Sequence, residues 1–306
     1  MARDYEPEEF IGTREVSEER ESKAQQSSRN DESRDQVREE RAQGAGSHID
    51  PGVSRSPELR QVYEIRGRTY RLRTSEIATM VEVGKFRAIA QEDLTEVAYG
   101  SDKGRMRPAV ENLIRQGLVQ MKSIPHEEKG SRHLLTLTKA GHRFLTENRI
   151  AGRDQALYFG FAKPREAHHD ADLYRLYQKA WDKIERGGGR NLRVVLDYEL
   201  KKRVYHELAK LGPDRASTES KRTVAEQLGL QVVRGKIPLP DVRIEYDTDD
   251  GERARVDIEL ATSHYRGRHL AEKVRAGFCI YAHASDVSNF RRVLDQRELT
   301  AEILSL

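Results

Sequence analysis

A chain of 306 residues is long enough for two domains, but 36% hydrophobic against 34% charged residues leaves a modest core and marks part of the chain as unfolded. The formal net charge of +3 hides an uneven spread: residues 1–57 carry 9 basic and 14 acidic side chains, residues 58–150 carry 17 and 12, and residues 151–306 carry 28 and 25. No apolar run approaches the roughly 20 residues that span a bilayer, the N-terminus has no apolar signal core, and a single cysteine excludes an intrachain disulfide or a thiolate zinc site, so the expectation is a cytoplasmic protein with no membrane partner.

Residues 1–57 read as a disordered, charged tail. Arg14-Glu15-Val16-Ser17-Glu18-Glu19-Arg20-Glu21-Ser22-Lys23 is almost all charge, and Gly44-Ala45-Gly46-Ser47 and Pro51-Gly52 are linker-like. Ordered signals begin near Tyr63. Thr74 is placed to cap a helix with Glu76 in its first turn, and Ile77, Met80, Val81 and Gly84 follow at helical spacing. Gln91–Ala98 reads as a second short helix, and Tyr99-Gly100-Ser101-Asp102 as a turn. A third helix turns Val110, Leu113 and Ile114 inward and ends at Gly117. It begins or kinks near Pro108, because proline disfavours helical geometry at the residue before it. Residues 118–122 and 133–138 read as paired strands with a polar loop at 124–132 between them, and a helix over 139–147 closes the unit.

This order resembles winged helix-turn-helix regulators. Gly117-Leu118-Val119 and Leu137-Thr138-Lys139-Ala140-Gly141 match the steps that lead such proteins into the wing and into the last helix. The resemblance implies that the third helix enters the major groove of double-stranded DNA. Lys103, Arg105, Arg107 and Arg115 around that helix, with Lys129 and Arg132 on the wing, would then neutralise phosphates. The plainer reading of the same charges is a solvated basic face.

Residues 149–166 read as a connector. Leu173, Leu176, Tyr177, Ala180, Trp181 and Ile184 mark a long helix that Gly187-Gly188-Gly189 ends. His168, His169, Asp170 and Asp172 at its start invite a metal reading, against which stands an N-cap role for Asp170. Residues 193–196 read as a buried strand, 199–211 and 218–228 as helices, 267–277 as a helix, 278–284 as a strand and 289–298 as a final helix. The second half is therefore α/β, with helices on a mixed sheet. Cys279 lies in an apolar stretch and reads as core filling.

The chemistry concentrates in Pro240-Asp241-Val242-Arg243-Ile244-Glu245-Tyr246 and Arg255-Val256-Asp257-Ile258-Glu259-Leu260-Ala261. A turn centred on Asp250 places Asp241 opposite Glu259. Period-two alternation puts Asp257, Glu259 and Ala261 on one face, and opposed residues lie about 5 Å apart at Cβ. Two carboxylates that close can share a hard divalent cation; the alternative is an ordinary hairpin with solvated acids. Glu199, three residues after the buried strand, is a candidate third acid. Asp257 is another, unless it pairs with Arg243 across the strands.

Pro240-Asp241 and Glu259-Leu260 resemble the motif of the PD-(D/E)xK nuclease superfamily. Its lysine position is occupied here by Ala261. The resemblance implies Mg²⁺ or Mn²⁺ held by Asp241 and Glu259, and a lysine supplied from a neighbouring element, with Lys273 the first candidate and Lys236 the second. The two halves together resemble the replication-relaxation proteins of plasmids and integrative conjugative elements. The residues that carry this are His168 leading into Ala171-Asp172-Leu173-Tyr174, Leu196-Asp197-Tyr198-Glu199, Leu239-Pro240-Asp241, and Ile258-Glu259 followed by a helix containing Lys273. The match runs from residue 70 to 285.

The expectation is an α+β winged helix-turn-helix at 58–150 followed by an α/β PD-(D/E)xK nuclease-like domain at 151–306. Three functions stay open. One is a DNA-binding regulator or accessory factor of a mobile genetic element, with a degenerate nuclease-like domain, serving plasmid or conjugative replication, relaxation or transfer; Ala261 favours it. The second is a metal-dependent endodeoxyribonuclease using Asp241, Glu259, Lys273, Asp257 and Glu199. The third is a protein-interaction adaptor. Partners implied are double-stranded DNA and other conjugation or replication proteins, with a homodimer left open.

Overall fold

The computed structural model describes residues 59–126, 130–152, 154–161, 166–263 and 265–306. Every described residue belongs to one compact unit, within residues 42–306. The tail expected at 1–57 lies outside the described residues, as does Lys129. The described part is a mixed α+β architecture of helices and three sheets. Among the described residues no helix is long and apolar enough to cross a membrane.

A hairpin that sequence reasoning missed comes first: β1 (Gln61–Ile65) and β2 (Arg68–Leu72). Its two loop residues, Arg66 and Gly67, have φ of 50° and 75°, the geometry of a type I′ turn. Arginine standing where asparagine or aspartate usually sits masked the signal. Helices α1 (Thr74–Lys85), α2 (Gln91–Ala98) and α3 (Lys103–Arg115) follow. Glu76 rather than Thr74 secures the start of α1, its Oε2 accepting the Arg73 N–H at 2.9 Å. Helix α3 begins five residues before Pro108, not at it. Asp102 caps it by accepting the Arg105 N–H at 3.0 Å, and a proline this close to the start forgoes a single helical hydrogen bond.

β4 (Val119–His126) and β5 (Gly130–Leu137) pair from Val119↔Leu137 to His126↔Gly130, and β3 (Ile89–Ala90) joins the other edge of β5. Residues 124–126 and 130–132, expected as a polar loop, are therefore strand. Tertiary contacts extend the ladder: Ile124 packs with Ala167 and Ala171, and Arg132 is 3% exposed. Helix α4 (Lys139–Glu147) is capped by Thr138, whose Oγ1 accepts the Gly141 N–H at 3.1 Å and donates to the Gly117 carbonyl at 2.6 Å. A Cβ at Gly141 would run into the Leu118 carbonyl. That close approach is the physical content of the Gly117-Leu118-Val119 and Thr138–Gly141 pattern.

Helix α5 (Ala167–Arg186) joins the two parts of this unit. Phe86 meets the rings of Tyr174 and Tyr177 at 5.3 Å, and one apolar core runs from Tyr70 and Leu72 through these rings to Val242 and Leu260. Asp170 is not the N-cap: it lies in the first turn, its N–H donated to the Glu166 carbonyl at 2.8 Å.

The third sheet has the order β10-β9-β8-β7-β6, from β6 (Arg190–Leu196), β7 (Val242–Asp247), β8 (Arg253–Ala261), β9 (Cys279–Ala282) and β10 (Ile303–Ser305). The β6–β7 and β7–β8 pairs are antiparallel and the β8–β9 and β9–β10 pairs parallel. Val194, Leu196, Val242, Ile244, Ile258 and Leu260 face the core that holds α5. On the other face, Ala261, Ile280 and Ala282 pack with Leu270 of α8 (Gly267–Arg275) and with Phe290 and Leu294 of α9 (Ala284–Asp295). Helices α6 (Asp197–Lys210) and α7 (Thr218–Gln227) follow β6 and share a small core of Val204, Val224, Ala225 and Leu230. Cys279 is exposed at the start of β9, not core filling; burial falls on the three residues after it. The last helix starts five residues earlier than its apolar spacing suggests.

Candidate functional site

The β7–β8 hairpin closes through Thr248, whose N–H donates to Glu252 O at 2.9 Å, with Gly251 at φ 78°. Its register, Val242↔Ile258 and Arg243↔Asp257, carries Asp241 one step further, opposite Glu259. There the side chains take over from the ladder. Asp241 Oδ2 accepts the Leu260 N–H at 2.9 Å, and Glu259 Oε2 accepts the Asp241 N–H at 3.2 Å. Glu259 is wholly buried, and Asp241 keeps a fifth of its side chain exposed.

Ala261, where the resemblance led to the expectation of a lysine, is buried in the apolar core against α8. A lysine arrives from that helix instead. Lys273 Nζ lies 2.7 Å from Glu259 Oε1, donates to the Leu239 carbonyl at 2.6 Å, and sits 5.6 Å from the Phe278 ring. Leu270, three residues earlier on α8, is buried and holds that face of the helix to the sheet. Lys236, the second candidate, is exposed. Tyr265, in the link between β8 and α8, donates its hydroxyl to the same Oε1 of Glu259.

Burial raises both carboxyl groups above their ordinary range. For Glu259 the charge of Asp241 adds to this, while Lys273 and the Tyr265 hydroxyl oppose it. For Asp241 the Leu260 N–H and Lys273 oppose it, and Asp197 and Asp170 reinforce it. Burial and the two carboxylates likewise push the Tyr265 hydroxyl far up. Burial thus disfavours the charged form of both groups, and Lys273 offsets that only in part. Two hard-oxygen donors in that condition suit a divalent cation, which would hold both in their charged forms. Among the described residues no group of three or more His, Cys, Asp or Glu side chains converges as metal ligands; the candidate ligands expected from the sequence, Asp241 and Glu259, lie side by side.

Three neighbours complete the rim. His169 Nε2 faces Asp241 Oδ1 at 3.5 Å. Asp197, first residue of α6, donates its N–H to the Asp241 carbonyl at 3.2 Å. Arg87, from the segment after α1, reaches Asp197 at 3.3 Å and Asp170 at 3.8 Å. Burial pushes Asp170 up to about 6 against the pull of Arg87. Sequence reasoning passed over His169, Arg87 and Tyr265 in this role. The adjacent histidines before a strong apolar stripe were the only local signal for the first; Arg87 had none, because its partners are over 80 residues away in the chain.

Two other expected acids are engaged elsewhere. Asp257 shares the face of Glu259 but forms a two-point pair with Arg243 at 2.6 and 2.8 Å; that guanidinium also donates to the Leu228 and Gly229 carbonyls, tying β7 to the end of α7. Glu199 pairs with Arg193 at 2.5 Å and with Arg203, and Arg193 continues to Glu245 at 3.1 Å. Both acids thus serve as ion-pair partners of arginines on the same sheet.

In the first part, Lys103, Arg105, Arg107 and Arg115 are exposed along α3, while Met106, Ala109, Val110 and Leu113 are buried behind them. Arg132 departs from expectation. It is buried and bonded to Asp93 at 2.9 Å and Asp172 at 2.7 Å, and Arg175 holds the same Asp93. Asp172 in turn faces His283 at 3.5 Å. This guanidinium locks β5 to α2 and α5 and presents nothing to a phosphate. The comparisons with known proteins return no match: none to a family model, none to a curated protein, none to a solved structure.

Proposed function

We propose that this protein binds duplex DNA through its first part and that Asp241, Glu259 and Lys273 form a nuclease-like centre of the PD-(D/E)xK kind, in a DNA-processing protein of a mobile genetic element. The observation that carries the reading is Lys273 Nζ at 2.7 Å from Glu259 Oε1, an ammonium delivered by α8 to a carboxylate pair whose strand lysine is replaced by Ala261. Two buried acids with opposed ionisation reduce stability, and such arrangements concentrate at functional sites. Asp241 and Glu259 would hold Mg²⁺ or Mn²⁺, which when bound supplies Lewis-acid polarisation of a phosphoryl oxygen and a more acidic water. Lys273, anchored to Leu239 O and Glu259, provides a fixed positive charge where negative charge develops on a phosphodiester. The exposed cations of α3, set on three helices followed by a β-ribbon, support a winged-helix mode of docking on DNA. This order of parts is also that of the replication-relaxation proteins.

A second reading, the non-catalytic regulator or accessory factor, draws on one observation. Glu259 is wholly buried and both its oxygens already accept hydrogen bonds. The test is supercoiled plasmid with Mg²⁺ or Mn²⁺. Nicking abolished by Asp241→Ala, Glu259→Ala and Lys273→Ala supports the catalytic reading; DNA binding without nicking sinks it in favour of the regulator. No binding to DNA at low salt removes both and leaves the adaptor.

A further inference from the structure

The outward face of α6 carries a pattern that the proposed centre does not use. Tyr198, Lys201, Lys202 and Tyr205 stand at i, i+3, i+4 and i+7, which is one face of a helix. All four are exposed, the two rings by 58% and 61%, while Leu200 and Val204 point inward. Lys201 Nζ lies 5.9 Å from the Tyr205 ring and the Arg87 guanidinium 5.7 Å from the Tyr198 ring. The acids of this helix are already matched: Asp197 by Arg87, Glu199 by Arg193 and Arg203, Glu207 by Lys210. The face is left cationic and aromatic together. It also has a definite place, since the Asp197 N–H that opens α6 is bonded to the Asp241 carbonyl. The stripe therefore starts at the rim of the carboxylate site and runs outward, with about 10 Å of helix between the two rings.

The chemistry of this face differs from that of α3. Cations alone suit the phosphates of a duplex, whose bases hide their π faces in the stack. Exposed rings interleaved with lysines suit a strand whose bases are unpaired, each ring taking a base face and each ammonium a phosphate. We propose that the Tyr198–Tyr205 face of α6 is a binding track for single-stranded DNA that leads to the Asp241–Glu259 site. The binding stands on this face alone; only the strand's destination rests on the nuclease-like reading.

The full chain is titrated by fluorescence anisotropy against a labelled oligothymidine and a labelled duplex. Tyr198→Ala and Tyr205→Ala should each weaken the oligothymidine complex about 10-fold and leave the duplex complex unchanged. Tyr198→Phe and Tyr205→Phe should bind like the parent, because stacking needs the ring and not the hydroxyl. Joint Lys201→Ala and Lys202→Ala should lower affinity and flatten its salt dependence, by about 0.7 in slope per lost phosphate contact. Arg107→Ala with Arg115→Ala should do the reverse, weakening the duplex only. The proposal is overturned if the parent does not bind oligothymidine, if the alanine variants bind it as the parent does, if they weaken the duplex equally, or if oligouridine is preferred. Tyrosine-dependent binding without any plasmid nicking keeps the track and removes the catalytic reading. Nicking with no tyrosine effect on oligothymidine does the opposite.

Discussion

Replacing Lys273 with methionine isolates the contact on which the centre depends. The change keeps most of the volume of the side chain and its packing on Phe278, and removes the ammonium that lies 2.7 Å from Glu259 Oε1 and 2.6 Å from Leu239 O. Glu259 is then a wholly buried carboxylate facing Asp241 with only the Tyr265 hydroxyl and one backbone N–H to hold its charge. Removing one partner of a buried pair costs about 3–5 kcal/mol; Lys273 itself is a fifth exposed, so the lower end, about 3 kcal/mol, is expected at pH 8. For a unit of this size that is a fall in Tm of roughly 6–12 °C. The loss is pH-dependent with a definite sign. Glu259 already has a raised pKa in the folded state, and losing Lys273 raises it further. The penalty for ionising it in the folded state is absent below the ordinary glutamate range near 4.3, and grows as pH rises through the raised value. Urea unfolding of the parent and the variant should therefore nearly converge at pH 4.5 and separate at pH 8. Adding Glu259→Gln to Lys273→Met should recover most of the loss at pH 8. A variant equally destabilised at both pH values, or destabilised by less than about 1 kcal/mol at pH 8, would refute the buried pairing.

Asp241→Asn should stabilise the protein at pH 8, by on the order of 1–2 kcal/mol, because an amide can still accept the Leu260 N–H while the charge that burial, Asp197 and Asp170 oppose is gone. The gain should shrink as pH falls through the raised value and vanish below about pH 3, where the parent carboxyl is protonated in both states; a loss at pH 8 in chemical denaturation contradicts it. Arg132→Met should destabilise by about 3–5 kcal/mol, since Asp93 is buried with Arg132 and Arg175 as its partners, whereas Arg107→Ala should change Tm little and lower duplex affinity, with the salt slope reduced by about 0.9. Gly141→Ala should cost about 1–3 kcal/mol by forcing α4 off the Leu118 carbonyl, read as a lower urea midpoint at unchanged m-value.

Local pattern was enough for what depends on neighbours in the chain. Alternation along Val242–Asp247 and Arg253–Ala261 around the Asp247–Gly251 turn determined which residues face one another, and Asp241 and Glu259 meet because a hairpin register follows from its turn. The helical stripe of α5 and the glycine pattern around Leu118 and Gly141 were legible for the same reason. The partner of each charge was not. Lys273 was one of two lysines that could have reached the pair, and packing of Leu270 against the sheet chose it over Lys236. Arg132 looked like a wing cation until Asp93 and Asp172 enclosed it. Arg87 and His169 joined the rim only when α1 and α5 were packed against the sheet. Periodicity encodes which side of an element is apolar, but a charged side chain is long and polar whether it faces water or a buried counter-charge. Only the packed structure says which of the two it meets.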